Sequence, residues 1–333
     1  NVIAEFAQNM LNVINTPTII NQYELKRTAS IGISLYPEGT RTVDEILRYA
    51  DSAMYYAKSE GNNSYVFHSS EVHLNETKKF ALERKLKLGL ANNEFVLYYQ
   101  IQVSAIDESI VGVEALIRWQ HPEDGIISPT KFIPVAEETG MIIPLSKWVL
   151  ETASRQNKKW QDMGFTPIRV GVNLSPQHFH EPDLLNQVAD IINKTKLSPE
   201  FLELEITEGT IMSNADEAVN TLNKLRNMGV GISVDDFGTG YSSLNYLKKF
   251  PIQTLKIDKS FIGRDLNFNQ QEAAIVSSII KLGHSLKLNV IAEGVETKSQ
   301  LDYLRKNYCD EIQGFYYSRP VTSEELITIL KKR

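Results

Sequence analysis

From Glu94 onward the chain repeats one pattern: a short, apolar, β-rich run, mostly followed by a segment long enough for a helix. The runs read "EFVLYYQIQV", "SIVGVEALIRW", "RVGVNLS", "FLELEIT", "VGISVDD", "TLKID", "LNVIAEG" and "EIQGFYY". Strands separated by helix-length segments pair in parallel, with the helices as crossovers. Eight of them in about 240 residues predict an α/β chain closed into a TIM-like (β/α)8 barrel. One connection departs from this. Only "SAIDE" joins the first two runs, too short for a crossover helix, so these two are predicted to form an antiparallel hairpin. The first strand then runs against the other seven.

Residues 1–70 follow another plan. A helix is predicted over Val2 to Ile14, two short strands around Asn21-Gln22, a strand in "TASIGISLY", a helix in "TVDEILRYADSAMYYAKSEG" and a strand in "SYVFH". Asp44 and Glu45 open the second helix, Gly61 closes it, and Ile46, Leu47, Ala50, Ala53, Met54 and Ala57 form its apolar stripe. Residues 71–93 are charged and helical in spacing, and read as a linker into the domain over 94–333.

Charge narrows the function. Lys and Arg number 35 against 41 Asp and Glu, a formal net charge of −6, which leaves no basic surface to follow a nucleic acid polymer. An anionic ligand must be met by local groups or by cations. The single cysteine, Cys309, excludes an intramolecular disulfide and fits a reducing, cytoplasmic setting. No apolar run reaches the roughly 18 residues of a membrane span. The chain starts at Asn1 and is expected to be a piece of a longer protein, in which sensor or membrane segments can precede it.

The active end of such a barrel is where the strands end. The last inward-capable polar residues of the runs are Glu114, Asn173, Glu205, Asp235 with Asp236, Lys256, Glu293 and Gln313. Singly, each has an ordinary structural explanation, as a helix cap, a turn residue or half of an ion pair. Together they conflict: so many carboxylates at one end of one barrel raise one another's pKa and destabilise the fold unless cations sit among them. Oxygen donors without cysteine or converging histidine suit a hard ion, Mg²⁺, Mn²⁺ or Ca²⁺. Asp235 and Asp236 are placed to bridge and flank two such ions. His178 and His180 lack partners for zinc, and neither a G-x-S-x-G elbow nor a P-loop is present.

These motifs resemble the EAL family of cyclic di-GMP phosphodiesterases. The signature is Glu114-Ala115-Leu116 in "EALIRW", with "FIPVAEETGMI", "VNLS", "LEIT", "DDFGTGYSSL", "LKID", "AEGVE" and "QGFYYSRP" in the family's order, from about Ala81 to Lys331. The resemblance implies metal-dependent hydrolysis of cyclic di-GMP to linear pGpG by in-line attack of water, with two divalent cations, Mg²⁺ or Mn²⁺, and inhibition by Ca²⁺. It implies Glu114, Asn173, Glu205 and Asp235 as ligands of one metal, and Asp235 and Asp236, with Glu293 directly or through water, as ligands of the other. Lys256 is expected to hold the attacking or a metal-bound water, with Gln313 as a partner of that water network. Arg118 is expected to contact phosphate, and Gln100 a guanine edge. Glu208 anchors the loop whose Gly238 and Gly240 permit a sharp turn, which in the family couples metal binding to a homodimer through the barrel domain.

Ile101 stands where the family usually has proline, and Gly209 where serine is common. "ASIGISLYP", "ADSAMYYAKSEG" and "NNSYVF" resemble the C-terminal half of a GGDEF diguanylate cyclase domain, without its signature loop. The alternative reading is a catalytically weak EAL domain that acts as a cyclic di-GMP receptor. Retention of every matched acid, Asn173 and Lys256 favours the enzyme.

Overall fold

The computed structural model describes residues 2–20, 23–25, 27–36, 42–59, 63–68, 82–239, 244–263 and 270–331. The chain divides into two compact units, Asn1–Lys85 and Leu86–Arg333. The first contains α1 (Val2–Ile14), β1 (Thr18–Ile20), β2 (Tyr23–Leu25), β3 (Ser30–Ile33), α2 (Val43–Ser59) and β4 (Ser64–Phe67). β1 and β2 pair antiparallel, and β3 and β4 pair parallel. The predicted helices and strands are present, although the strand in "TASIGISLY" narrows to four residues. Gly61, read as the stop of the second helix, lies outside the described residues, as do residues 71–81 of the segment read as a linker; residues 82–91 form helix α3.

The second unit continues with β5 (Phe95–Ser104), β6 (Ile110–His121), β7 (Gly125–Ile127), α4 (Pro129–Glu138), α5 (Ile142–Asp162), β8 (Arg169–Asn173), α6 (Pro176–Phe179) and α7 (Leu184–Thr195). After these come β9 (Leu202–Thr207), α8 (Glu208–Ser213), α9 (Ala215–Asn227), β10 (Gly231–Phe237), α10 (Leu244–Leu247), β11 (Thr254–Ile257) and α11 (Gln270–Ser285). β12 (Asn289–Ala292), α12 (Lys298–Lys306), β13 (Glu311–Gln313) and α13 (Ser323–Leu330) complete it.

Eight strands close in the order β5-β6-β8-β9-β10-β11-β12-β13, and β13 pairs back onto β5. β5 is antiparallel to both neighbours, whereas the pairs from β6–β8 round to β12–β13 are all parallel. The short "SAIDE" connection therefore has the predicted consequence. β7 has no counterpart among the predicted strands: it is a three-residue extension paired with the far end of β6, too short to show a periodic pattern.

The barrel's layering explains why the runs alternate. Residues facing the helices, among them Tyr99, Ile101, Val113, Val170, Val172, Leu204, Ile206, Val234, Leu255, Val290 and Ile312, form the buried apolar core. The intervening positions, Gln100, Gln102, Glu114, Glu203, Glu205, Ser233, Asp235, Thr254, Lys256, Glu311 and Gln313, are also buried, yet polar. Barrels of this architecture usually fill their interior with bulky branched residues. Here the apolar core surrounds a polar centre.

The active end is braced by an aromatic cluster. Phe95 and Trp119, opposite one another in the hairpin, have ring centroids 5.3 Å apart, and Phe132 lies 5.7 Å from each. Such pairs contribute about 0.5–1.5 kcal/mol each beyond their area. They hold the end of the hairpin that carries Arg118. Behind β12, a capping box between Thr297 and Gln300 starts α12, and Gln300 Nε2 donates to the carbonyls of Ile262 and Gly263, tying down the loop after Glu293. Among the described residues, no helix is long and apolar enough to cross a membrane.

Candidate functional site

Lys256, on β11, is fully buried at the centre of the barrel's C-terminal end. Its Nζ lies 2.6 Å from Glu205 and 2.6 Å from Glu293, with Asp235 at 3.4 Å and Glu114 at 3.6 Å. Burial alone would lower the lysine's pKa, but Asp235, Glu114, Glu205 and Glu293 together raise it well above its ordinary value. The side chain is therefore an ammonium. Among the described residues the acids form no bare metal-holding cluster, and the ammonium stands between Glu205 and Glu293.

One ammonium does not balance the acids. Burial holds Glu205 well above the usual carboxylate range, against the pull of Lys256 and with Glu114 and Asp235 adding to the rise. Burial likewise pushes Glu293 up to about 8, opposed by Lys256 and reinforced by Asp235 and Glu114. Asp236 is raised to about 6 by burial and by its neighbour Asp235. Burial thus disfavours the charged form of these acids, a cost that a cation among them would offset.

Glu114, on β6, is held at both oxygens: Asn173 Nδ2 donates to Oε1 at 2.6 Å, and Gln313 Nε2 donates to Oε2. Among the described residues, Glu205 Oε1 has no hydrogen-bond partner although the residue is buried. The space it occupies exists because residue 171 on the adjacent β8 is glycine; a Cβ there would collide with that oxygen. An orphaned carboxylate oxygen, surrounded by acids and an amide, fits a hard divalent cation. Glu114, Asn173, Glu205, Asp235, Asp236 and Glu293 are the residues available to hold one.

Consecutive strand residues normally point to opposite faces. The register of β10 against β11 shifts between Val234 and Phe237, and Asp236 adopts φ 53°, left-handed for a non-glycine residue. This irregularity turns Asp236 to Asp258, at the end of β11, and into the field of Asp235 and Lys256. Asp258, which directly follows β11 two residues after Lys256, was not singled out in the sequence. It also caps the following turn, accepting from the Ser260 N–H at 2.9 Å.

The loop after Asp236 is tied to Glu208, the first residue of α8, whose Oε2 accepts from the Gly238 N–H at 3.0 Å. Gly238 has φ 98°, and a Cβ there would lie 3.0 Å from the Phe261 ring. Both conditions demand glycine. Gly240 lies outside the described residues.

Two cavities flank the acids. One, of about 320 Å³, is lined by Leu116, Arg118, Glu137, Ile142, Asn173 and Thr207. The other, of about 710 Å³, is lined by Gln100, Glu114, Glu293, Glu296, Gln313 and Phe315. The guanidinium of Arg118 lies 5.7 Å from the centre of the Tyr98 ring and donates to the Ile117 carbonyl at 2.8 Å. Gln100 is already engaged: Nε2 donates to the Ser318 carbonyl at 3.1 Å, and Oε1 accepts from Gln313 at 3.3 Å. These bonds fix the orientation of the amide while leaving one N–H and one lone pair for a further partner. Gln313 touches Glu114 and two glutamines, and so joins the acids to the layer below them.

Comparison with known proteins bears on the family and the fold. Residues 83–320 match the EAL domain family, and residues 1–64 match the diguanylate cyclase GGDEF domain family. The bifunctional diguanylate cyclase/cyclic di-GMP phosphodiesterase MucR of Pseudomonas aeruginosa is 43% identical over 324 residues, 97% of this chain and 47% of MucR. The cyclic di-GMP phosphodiesterase NbdA of the same organism is 37% identical over 325 residues, 98% of this chain and 41% of NbdA. The chain thus spans about half the length of these curated relatives. The solved structure of the PaMucR phosphodiesterase in complex with c-di-GMP superposes with a TM-score of 0.72 at 45% identity, covering 74% of this chain and 99% of that one. With the EAL signature, the closed barrel and its antiparallel first strand all present, the chain belongs to the EAL domain family and carries part of a GGDEF domain ahead of it.

Proposed function

We propose that the chain hydrolyses one phosphodiester of cyclic di-GMP to give linear pGpG, with two divalent cations, Mg²⁺ or Mn²⁺, held by Glu114, Asn173, Glu205, Asp235, Asp236 and Glu293. The observation that carries this reading is the ring of acids and amide around Lys256, flanked by two cavities. A cyclic dinucleotide has the matching form, with phosphates between two bases. When bound, the cations supply the Lewis acidity that makes a water nucleophilic at neutral pH and offset charge on the reacting phosphate.

The protein's own groups do the rest. Arg118 offers a forked donor to a phosphate oxygen at the edge of the smaller cavity. Lys256, kept protonated by four carboxylates, orients and neutralises; it donates hydrogen bonds and does not act as the base. Glu208 fixes the Gly238 turn and, through it, the position of Asp236. Homodimer formation through the barrel domain belongs to the same proposal and is checked by sedimentation.

The test is to incubate the chain with cyclic di-GMP and Mg²⁺ or Mn²⁺, with and without chelator, and to chromatograph the products. The expected result is pGpG only with metal, and none when Ca²⁺ replaces Mg²⁺, since Ca²⁺ accepts looser coordination. Tight binding without turnover would overturn the hydrolase in favour of a receptor.

A further inference from the structure

Beneath the acids lies a second polar layer on the same inward face of the strands: Gln102, Glu203 and Glu311, which are buried, with Arg169 and Asn289, which are partly buried. Arg169 forms an ion pair with Glu311, lies 3.5 Å from Glu203 and donates from Nη2 to Gln102 Oε1 at 3.2 Å. Asn289 Nδ2 also donates to Glu311, at 2.7 Å. Gln102 Nε2 then donates to Gln313 Oε1 at 3.0 Å, and Gln313 Nε2 donates to Glu114 Oε2. One continuous chain of hydrogen bonds leads from Arg169 to Glu114.

Its direction is set by chemistry. A guanidinium only donates, an ionised carboxylate only accepts, and the two amides between them do both. Gln102 must therefore turn its oxygen to Arg169 and its NH₂ to Gln313. Gln313 must then accept from Gln102 and give its own NH₂ to Glu114. Reversing either amide sets like groups face to face.

Stability does not account for this layer. Buried ion pairs are commonly no better for stability than apolar residues of the same volume, and interiors of this architecture are usually apolar. Room is nonetheless kept for it: a Cβ on Gly112 would lie 2.7 Å from Gln102 Oε1 and 2.8 Å from Arg169 Cγ.

We propose that Gln102, held by Arg169, is a positioning residue that acts through Gln313 to fix the carboxylate plane of Glu114. The inference rests on the reading of Glu114 as a cation ligand. Gln313 and Asn173 grip opposite oxygens of that carboxylate, so freeing one grip lets it rotate.

The test is the substitution Gln102→Glu in the full chain, with Mn²⁺ affinity followed by electron paramagnetic resonance of free Mn²⁺ and folding followed by thermal melting. The introduced carboxylate gives Arg169 a better partner but cannot donate to Gln313, which is left between two acceptor-only carboxylates. The expected result is Mn²⁺ binding weakened about 10- to 100-fold, the range for loss of an outer partner of a metal ligand, with the melting temperature held or raised. Added negative charge by itself acts in the opposite direction and tightens cation binding. Affinity equal to or tighter than that of the unaltered chain overturns the positioning role. Should Gln102→Glu fail to fold, Gln102→Met decides: it removes the donor without adding charge, and unchanged Mn²⁺ affinity in it overturns the role equally. An unaltered chain that binds no Mn²⁺ overturns the cation reading of Glu114 and the positioning role with it, whereas normal binding in the unaltered chain and an unaltered response in both variants overturns the positioning role alone.

Discussion

Replacing Lys256 by methionine, of similar length and uncharged, leaves Glu114, Glu205, Asp235 and Glu293 facing one another without the ammonium that lies 2.6–3.6 Å from all four. Removing one partner of a buried ion pair typically costs about 3–5 kcal/mol. At about 2–4 °C per kcal/mol for a domain of this size, the melting temperature of the metal-free protein should fall by about 6–20 °C at pH 8. The sign of the pH dependence follows from Glu205 and Glu293, which burial holds above the usual carboxylate range, Glu293 at about 8. An acid with a raised folded pKa binds its proton more tightly in the folded state, so it supports folding at low pH and loses that support as pH rises from the unfolded value to the folded one. Loss of the ammonium raises these acids further. The gap between Lys256→Met and the unaltered chain should therefore be small near pH 5 and widen steadily to pH 8. Thermal melts by circular dichroism in chelator, at half-unit pH steps, measure it. Parallel curves, or a gap below about 2 °C at pH 8, would refute the view that Lys256 carries the charge balance of the site.

Asp235→Asn should weaken both cation sites and Asp236→Asn chiefly the second, so calorimetric titration with Mn²⁺ should show two weakened events for the first and one remaining event for the second. Gly171→Ala drives a methyl group into Glu205 Oε1; it should cost about 1–3 kcal/mol of stability as overpacking does and lower Mn²⁺ affinity at least tenfold in the same titration. Arg118→Ala removes a charge-assisted hydrogen bond worth about 1.5–3 kcal/mol, so binding of cyclic di-GMP, measured with Ca²⁺ to prevent turnover, should weaken about 10- to 150-fold; a change below threefold would remove Arg118 from the substrate site.

The parts of this molecule that were legible in the sequence share one cause. Strand parity is two, so a run that alternates apolar and polar residues declares both its conformation and its inward face, and Glu114, Glu205, Asp235 and Lys256 follow from that alone. The same parity carried further down each strand leads from Glu205 to Glu203, from Gln313 to Glu311 and from Asn173 to Arg169. On β5, which runs the other way, it leads from Gln100 to Gln102. These residues lie one layer below the strand ends, where barrel enzymes keep their chemistry, and so fall outside a reading of the ends alone. Other features had no local signal. The amide of Gln100 is engaged by Ser318, 218 residues away, and Asp236 reaches Asp258 only because its backbone enters the left-handed region at a shift in register. A run of residues states its own periodicity but not its partners across the barrel. Partners are recoverable where the chemistry leaves one choice, as it does between a guanidinium that cannot accept and a carboxylate that cannot donate, and it is this constraint that makes the sense of Gln102 and Gln313 a consequence of Arg169 and Glu114 together.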